Sequence, residues 1–117
     1  MSYDVSIRVK AEGVDAYVEA EWLSNITWNV KELIKQSSGW DIRNCDTNGP
    51  VMPWLDKIEA GIRELVGRPE VYRQYEAKNG WGTVEGTLTF FKDCRDKARE
   101  WMEDNETLIP AAVIWVS

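Results

Sequence analysis

The spacing of apolar residues changes along this chain, and that change limits its fold more than any single motif does. Residues 3–11 alternate between apolar and polar side chains, and residues 14–22 do the same after a turn at Glu12-Gly13. A period of two is typical of half-buried strands, so we expect an antiparallel hairpin. Its second strand is predicted to place five side chains on the core face: Val14, Ala16, Val18, Ala20 and Trp22. The opposite face would carry the acidic residues of this strand, across the hairpin from Arg8 and Lys10.

Between the strands the apolar period lengthens to that of a helix. Apolar residues recur every three or four positions from Val51 to Val66 and again from about Thr83 to Glu103, which predicts two long amphipathic helices. A shorter helix is predicted after Asn29, which stands in the capping position with Glu32 three residues on. Another short helix is predicted to begin at Pro69.

After Pro110 the chain is again rich in β-formers and predicts a third strand. This order of elements predicts a single α+β domain over residues 1–117. Its three-stranded antiparallel sheet would combine the N-terminal hairpin with the C-terminal strand, and two long and one or two short helices would pack on one face. Because the last strand is apolar on both faces, we place it centrally or beside the first strand.

Composition argues against several classes of function. The net charge of −6 disfavours direct nucleic-acid binding, which needs a basic surface, although mimicry of a phosphate backbone stays compatible with it. The chain has no histidine, the side chain that most often transfers protons near neutral pH and most often binds metals. The cysteines therefore lack a histidine partner, and the carboxylate pairs fall on faces predicted to be solvated. We predict a protein that is not an enzyme and holds no cofactor.

The sequence also predicts a cytoplasmic protein without a membrane segment. The apolar run from Ala111 to Val116 is far shorter than the roughly 20 residues that span a bilayer. The N-terminus alternates in polarity and does not resemble a signal peptide. In a reducing cytosol, Cys45 and Cys94 are expected to be free thiols.

The loop before the first long helix contains a weak calcium-like pattern. Asn44, Asp46 and Asn48, followed by Gly49, space their oxygen-bearing side chains like the start of an EF-hand loop. Leu55 stands where that site needs its bidentate glutamate, and turn formation explains the same residues. We therefore predict no metal site.

Seven tryptophans are more than the centre of one small core can hold, so we expect one or two to be partly exposed. Trp81 stands between two glycines in Asn79-Gly80-Trp81-Gly82. The segment is either a loop that offers the indole to a ligand, or a junction between two helices. As a junction, Asn79-Gly80 would end one helix and Gly82 would free the backbone to begin the next. We favour the junction, with Trp81 packed between the helices and the sheet.

Several short segments between residues 20 and 117 form a set. They are Asn25-Ile-Thr-Trp-Asn29 before a helix, "GIREL" at 61–65, "PEVYRQY" at 69–75, Asn79-Gly-Trp-Gly82, Glu85-Gly86, Leu88 and the closing Ile114-Trp-Val-Ser117. Together they resemble a family of small uncharacterised proteins from bacterial and bacteriophage genomes. Members tend to have a proline soon after the second asparagine, whereas Val30-Lys31-Glu32 stands here. No activity is attached to that family, so the resemblance implies an accessory protein in the cytoplasm of a bacterium or a phage-infected cell.

Two functions from different classes fit these observations. The first is a non-enzymatic interaction protein that docks on a protein partner with exposed tryptophans and acidic residues. The second is a small-molecule-binding protein, because Asn25, Thr27 and Asn29 alternate along an extended segment and could form a pocket with Asn79 and Trp81. Caps and turns explain the same residues without a ligand. An exposed patch centred on Trp or Tyr would favour the first function, and a closed pocket with converging amides the second.

Overall fold

Both ends of the chain meet in one sheet. The computed structural model describes residues 2–10, 13, 15–42 and 49–117. Strand β1 (Ser2–Lys10) lies in the middle of the sheet, with β2 (Tyr17–Thr27) on one side and β3 (Ala112–Val116) on the other. Both neighbours run antiparallel to β1. The predicted α+β class is confirmed, and the last strand lies beside the first as expected.

Helices supply the second layer. Within the described residues they are α1 (Lys31–Ser38), α2 (Val51–Gly67), α3 (Pro69–Tyr72) and α4 (Val84–Asp104). Short 3-10 segments precede α1 at Trp28–Val30, follow α3 at Arg73–Tyr75 and lead into β3 at Glu106–Ala111. The bounds of both long helices agree with the predicted ones to within one residue. None of these helices combines the length and apolarity needed to cross a membrane.

One face of the sheet packs on the helices and forms the core. Val5, Ile7 and Ile114 alternate onto this face and are fully buried. Phe91 of α4 is fully buried in the same core. Three tryptophans also lie inside: Trp40, Trp54 and Trp101. Trp40 meets Trp54 edge-on with ring centroids 5.7 Å apart, a favourable geometry for two indoles.

Two bulges in β2 change which side chains face the core. The pairing register leaves Leu23 unpaired between the pairs Val5–Ser24 and Ser6–Trp22, and it leaves Ala20 unpaired in the same way. Each extra residue shifts the alternation by one position. As a result Trp22 lies on the face opposite Val18, together with Tyr17. The prediction that Trp22 shares the core face with Val18 is therefore wrong.

The predicted cap of α1 is also wrong. The strand β2 continues through Thr27, and a 3-10 turn follows in which the Lys31 amide donates to the Trp28 carbonyl oxygen. The N-cap position of α1 falls on Val30, and no side-chain cap hydrogen bond is formed there. Because the turn supplies its own backbone hydrogen bond, Asn29 lies within it and does not act as the cap.

Both outer edges of the sheet depart from a regular unpaired strand. Along β3, the Ile114 amide donates to the Gly49 carbonyl oxygen at 2.9 Å, and Pro50 forms a bridge with Val113. Along β2, the two bulges interrupt the regular strand. Neither edge is therefore a long, flat strand.

Candidate functional site

The face of the sheet that turns away from the helices carries a cluster of aromatic side chains around one arginine. In β1 and β3 the residues that alternate with the core, Arg8 and Trp115, are half-buried, while Ile7, Ile114 and Val116 next to them are fully buried. We use the name open face for the surface formed by Arg8, Tyr17, Trp22 and Trp115. Tyr17 lies on it by the regular alternation of β2, and Trp22 joins it because of the bulge at Ala20.

A buried serine marks the centre of the open face. The register places Ser6 directly between Trp22 on β2 and Trp115 on β3. Ser6 is only 4% exposed although none of the described helices lies over this face, whereas Trp22 is 41% exposed. The two indoles therefore shield the serine and form an apolar surface above the middle strand.

Arg8 lies against the ring of Trp115. Its guanidinium carbon lies 4.4 Å from the centroid of the Trp115 ring, which is cation–π geometry. Tyr17 reaches the same indole from the far side of β1, with centroids 5.9 Å apart. Arg8 Nε is shielded from solvent and has no hydrogen-bond acceptor within the part of the chain that the structure describes. Glu19 lies opposite Arg8 in the register, yet the two form no ion pair.

A second cation approaches the margin of the open face. Lys97 of α4 reaches over the sheet edge to Trp22, with its Nζ 4.6 Å from the ring centroid. Next to it, Glu21, Glu100 and Asp104 line a shallow notch with Lys97 and Trp101. Both half-exposed indoles of this region therefore carry a cation on one ring face.

Trp81 is exposed, so the prediction that it packs between the helices and the sheet is wrong. Its side chain is 72% exposed. A tight turn sets its position, since Gly80 has φ of +79° and the Trp81 amide donates to Asn79 Oδ1 at 3.0 Å. Gly82 packs where the indole was expected: a Cβ atom there would lie 2.5 Å from Val30 Cγ1. The close approach of this backbone leaves no room for the ring.

Beside Trp81 lies a groove between the end of β2 and the start of α4. It is lined by Ile26, Thr27, Val30, Gly80, Trp81, Gly82, Thr83, Gly86 and Thr87. Of the five residues predicted to form a pocket, Thr27 and Trp81 line this groove, whereas Asn25, Asn29 and Asn79 do not. Its volume of about 200 Å³ is below the roughly 300–1,000 Å³ of typical small-molecule sites. The amides do not converge on a ligand position.

Within the described residues, neither a reactive thiol nor a metal-binding cluster accompanies these surfaces. The Cys94 thiol is fully buried, and its burial, with a smaller contribution from Asp93, raises its pKa well above the usual value. Across the described ranges, no three acidic or thiol side chains are placed to share a metal ion. Cys45 and the calcium-like residues Asn44, Asp46 and Asn48 lie outside the described residues.

Sequence reasoning missed the open face as a site. The alternation of β1 places Arg8 on the solvated side correctly, but it gives no sign that Trp115 and Tyr17 meet there. The available signal is the single tryptophan between two apolar residues in "VIWV", whose side chain must point away from theirs in a strand.

Comparisons with protein-family models, with curated proteins and with solved structures find no match to this chain. The resemblance to small bacterial and bacteriophage proteins therefore rests on the quoted segments alone and stays a prediction.

Proposed function

We propose that this protein is a non-enzymatic interaction module that docks on a protein partner with its open face. The observation that carries the proposal is the uncovered cluster of Tyr17, Trp22 and Trp115 around Arg8. Tryptophan, tyrosine and arginine are the residues that most often dominate the free energy of protein association. A monomer gains little from leaving such side chains on one uncovered face, since packing them under a second layer would bury apolar area.

The alternative proposal, a small-molecule pocket at Asn25, Thr27, Asn29, Asn79 and Trp81, has less support. The groove near Trp81 is small, and Asn79 Oδ1 already accepts a hydrogen bond from the Trp81 amide. Specific small-molecule sites usually enclose most of their ligand and direct several polar groups at it. Docking on a partner requires neither property.

The resemblance to bacterial and phage proteins suggests the setting for this docking. We place the protein in the cytoplasm of a bacterium or a phage-infected cell, where it would act as an accessory protein on a host factor. The net charge of −6 makes a protein a better partner than nucleic acid, because phosphates would be repelled.

The test is a comparative pull-down from bacterial lysate, with retained proteins quantified by mass spectrometry. The tagged chain is compared with Tyr17→Ser/Trp22→Ser and with a matched control, Val66→Ser/Val71→Ser, which also removes two exposed apolar side chains but from α2 and α3. We expect the open-face variant to retain at least one protein about tenfold less than the unmodified chain does, which corresponds to roughly 1.4 kcal/mol of binding free energy. The control variant should retain that protein as well as the unmodified chain does.

Two results would contradict the proposal. One is that no protein is retained above the level of the tag alone. The other is that retained proteins are lost equally from both double variants. Thermal melts of the three proteins establish that any loss reflects the changed surface and not unfolding.

A further inference from the structure

We propose that the open face selects a partner segment that carries a carboxylate, which the Arg8 guanidinium binds while apolar side chains of the same segment pack on Tyr17, Trp22 and Trp115. This inference rests on the proposed function and adds the chemistry of the partner to it.

Among the described residues, Arg8 forms no ion pair, although Glu19 lies opposite it on β2. Its Nε is removed from water and lacks an acceptor among the described residues. Buried polar groups in proteins nearly always have a hydrogen-bond partner, and a donor left without one is costly, more so when it is charged. An arginine in this state gains more from a new carboxylate than a fully hydrated one would, because part of its desolvation has already taken place.

Several other arginines among the described residues are paired. Four of them each contact a carboxylate: Arg68 with Glu64 at 2.6 Å, Arg73 with Glu85 at 2.8 Å, Arg95 with Asp96 at 2.9 Å, and Arg99 with Glu59. On the strand of Arg8 itself, Lys10 pairs with Asp15 at 2.5 Å. Arg8 instead lies over the Trp115 ring. Ring stacking occupies the face of the planar guanidinium and leaves its hydrogen-bonding edge for a partner.

The charges around Arg8 favour one carboxylate over a polyanion. Glu19 lies opposite Arg8 on β2, and the whole chain carries a charge of −6. A nucleic acid would bring several phosphates into this negative field and be repelled. A single Asp or Glu matches the forked geometry of one arginine and adds little further repulsion.

The rings around Arg8 would strengthen that contact. Apolar side chains on both sides of the partner's carboxylate would cover Trp22 on one flank and Tyr17 with Trp115 on the other. Covering them excludes water from the ion pair, and the lower local dielectric makes the attraction stronger. The partner segment is therefore an Asp or Glu flanked by apolar residues.

The experiment is a selection of random peptides displayed on phage against the immobilised protein, followed by fluorescence-anisotropy titration of the enriched peptides. We expect the enriched sequences to share an Asp or Glu between apolar residues. Replacing that residue by Asn or Gln in a synthetic peptide is expected to weaken binding roughly ten- to a hundredfold, the range of a charge-assisted hydrogen bond.

Variants of the protein assign the effect to Arg8. Arg8→Gln is expected to weaken binding of the carboxylate peptide by the same factor. The affinity for the Asn or Gln analogue of that peptide should not change. Arg8→Lys keeps the charge without the fork and should recover part of the affinity. Arg63→Gln, at an exposed position on α2, is the control and should change nothing. Urea unfolding of each variant accompanies the titrations.

The outcomes separate this inference from the proposed function. If binding of the enriched peptides depends on Tyr17 and Trp22 but not on Arg8, the inferred partner carboxylate is wrong, whereas docking through the open face is supported. Peptides that depend on none of these residues, or a selection without enrichment, would count against both. Arg8-dependent binding of a single-stranded oligonucleotide would replace the acidic peptide with nucleic acid and overturn the inference.

Discussion

Trp81 projects from a turn whose backbone is fixed on both sides. Gly80 adopts the left-handed conformation that the turn requires, and the Asn79 side chain accepts from the Trp81 amide. The ring itself makes no aromatic contact of stacking distance with the rings of other described residues. Its contribution to folding should therefore be small, in spite of its size.

Replacing Trp81 by alanine tests this residue-level conclusion. We expect the free energy of unfolding of Trp81→Ala to change by no more than about 0.5 kcal/mol, because an exposed side chain loses little packing. Urea denaturation followed by circular dichroism measures it. Trp40→Ala is the matched control, and burial of that indole between Trp54 and Phe90 should make the loss about 3–5 kcal/mol. If Trp81→Ala instead lowers the free energy of unfolding by about 3 kcal/mol, the indole is packed as the sequence predicted.

The junction between α3 and α4 is fixed by side-chain hydrogen bonds to two backbone amides of α4. Thr83 caps α4 by accepting from the Gly86 amide at 3.0 Å, and Glu76 accepts from the Val84 amide at 2.7 Å. Gly82, just before the cap, packs against Val30 from the turn that precedes α1. The junction therefore fixes the start of α4 against the end of β2.

Adding one methyl group at Gly82 should disturb this contact. Gly82→Ala places a Cβ 2.5 Å from the buried Val30 Cγ1, and overpacking of this kind costs about 1–3 kcal/mol. Chemical denaturation of Gly82→Ala, Val30→Ala and the double variant measures it, and the double variant should lose less stability than the sum of the two single ones. Gly67→Ala is the control, since a Cβ there meets no atom within 4 Å. Simple additivity at positions 82 and 30 would contradict the predicted clash.

Elements differ in how far the sequence determines them. The helices α2 and α4 were predictable because many turns repeat the same apolar spacing, so that single exceptions such as the exposed Val66 do not obscure the period. The strand β2 was predictable as a strand, but the face of the sheet to which each of its side chains points was not. Bulges at Ala20 and Leu23 depend on pairing with β1 and leave no local mark in the sequence. The open face escaped prediction for the same reason, because Trp22 joins it only through the bulge at Ala20.

At the scale of the whole molecule, the chain forms a thin body of 48 × 26 × 17 Å in which one helical layer covers one side of the sheet. Its interior is nevertheless closed to solvent at Cys94, which lies on α4 with no exposed surface. The burial also raises the pKa of the Cys94 thiol, which keeps it in the unreactive protonated form. Chemical access to this sulfur therefore reports on opening of the fold.

Thiol labelling can measure that opening. In a Cys45→Ser background, we expect Cys94 to react with a disulfide reagent such as dithionitrobenzoate only as fast as the core opens, with a rate that rises with urea alongside unfolding. An additional Thr89→Cys substitution provides the control, because position 89 is exposed on α4 and its thiol should react at once. Labelling of Cys94 at the rate of that exposed thiol would contradict the closed interior.

The two modified edges of the sheet have a consequence for the behaviour of concentrated solutions. Fibrils grow when copies of a chain add strand upon strand to a flat, unpaired edge. Here Gly49 and Pro50 occupy the edge of β3, and bulges with Glu19 and Glu21 interrupt the edge of β2. An aromatic surface can therefore stay uncovered on this protein without giving amyloid a template to extend.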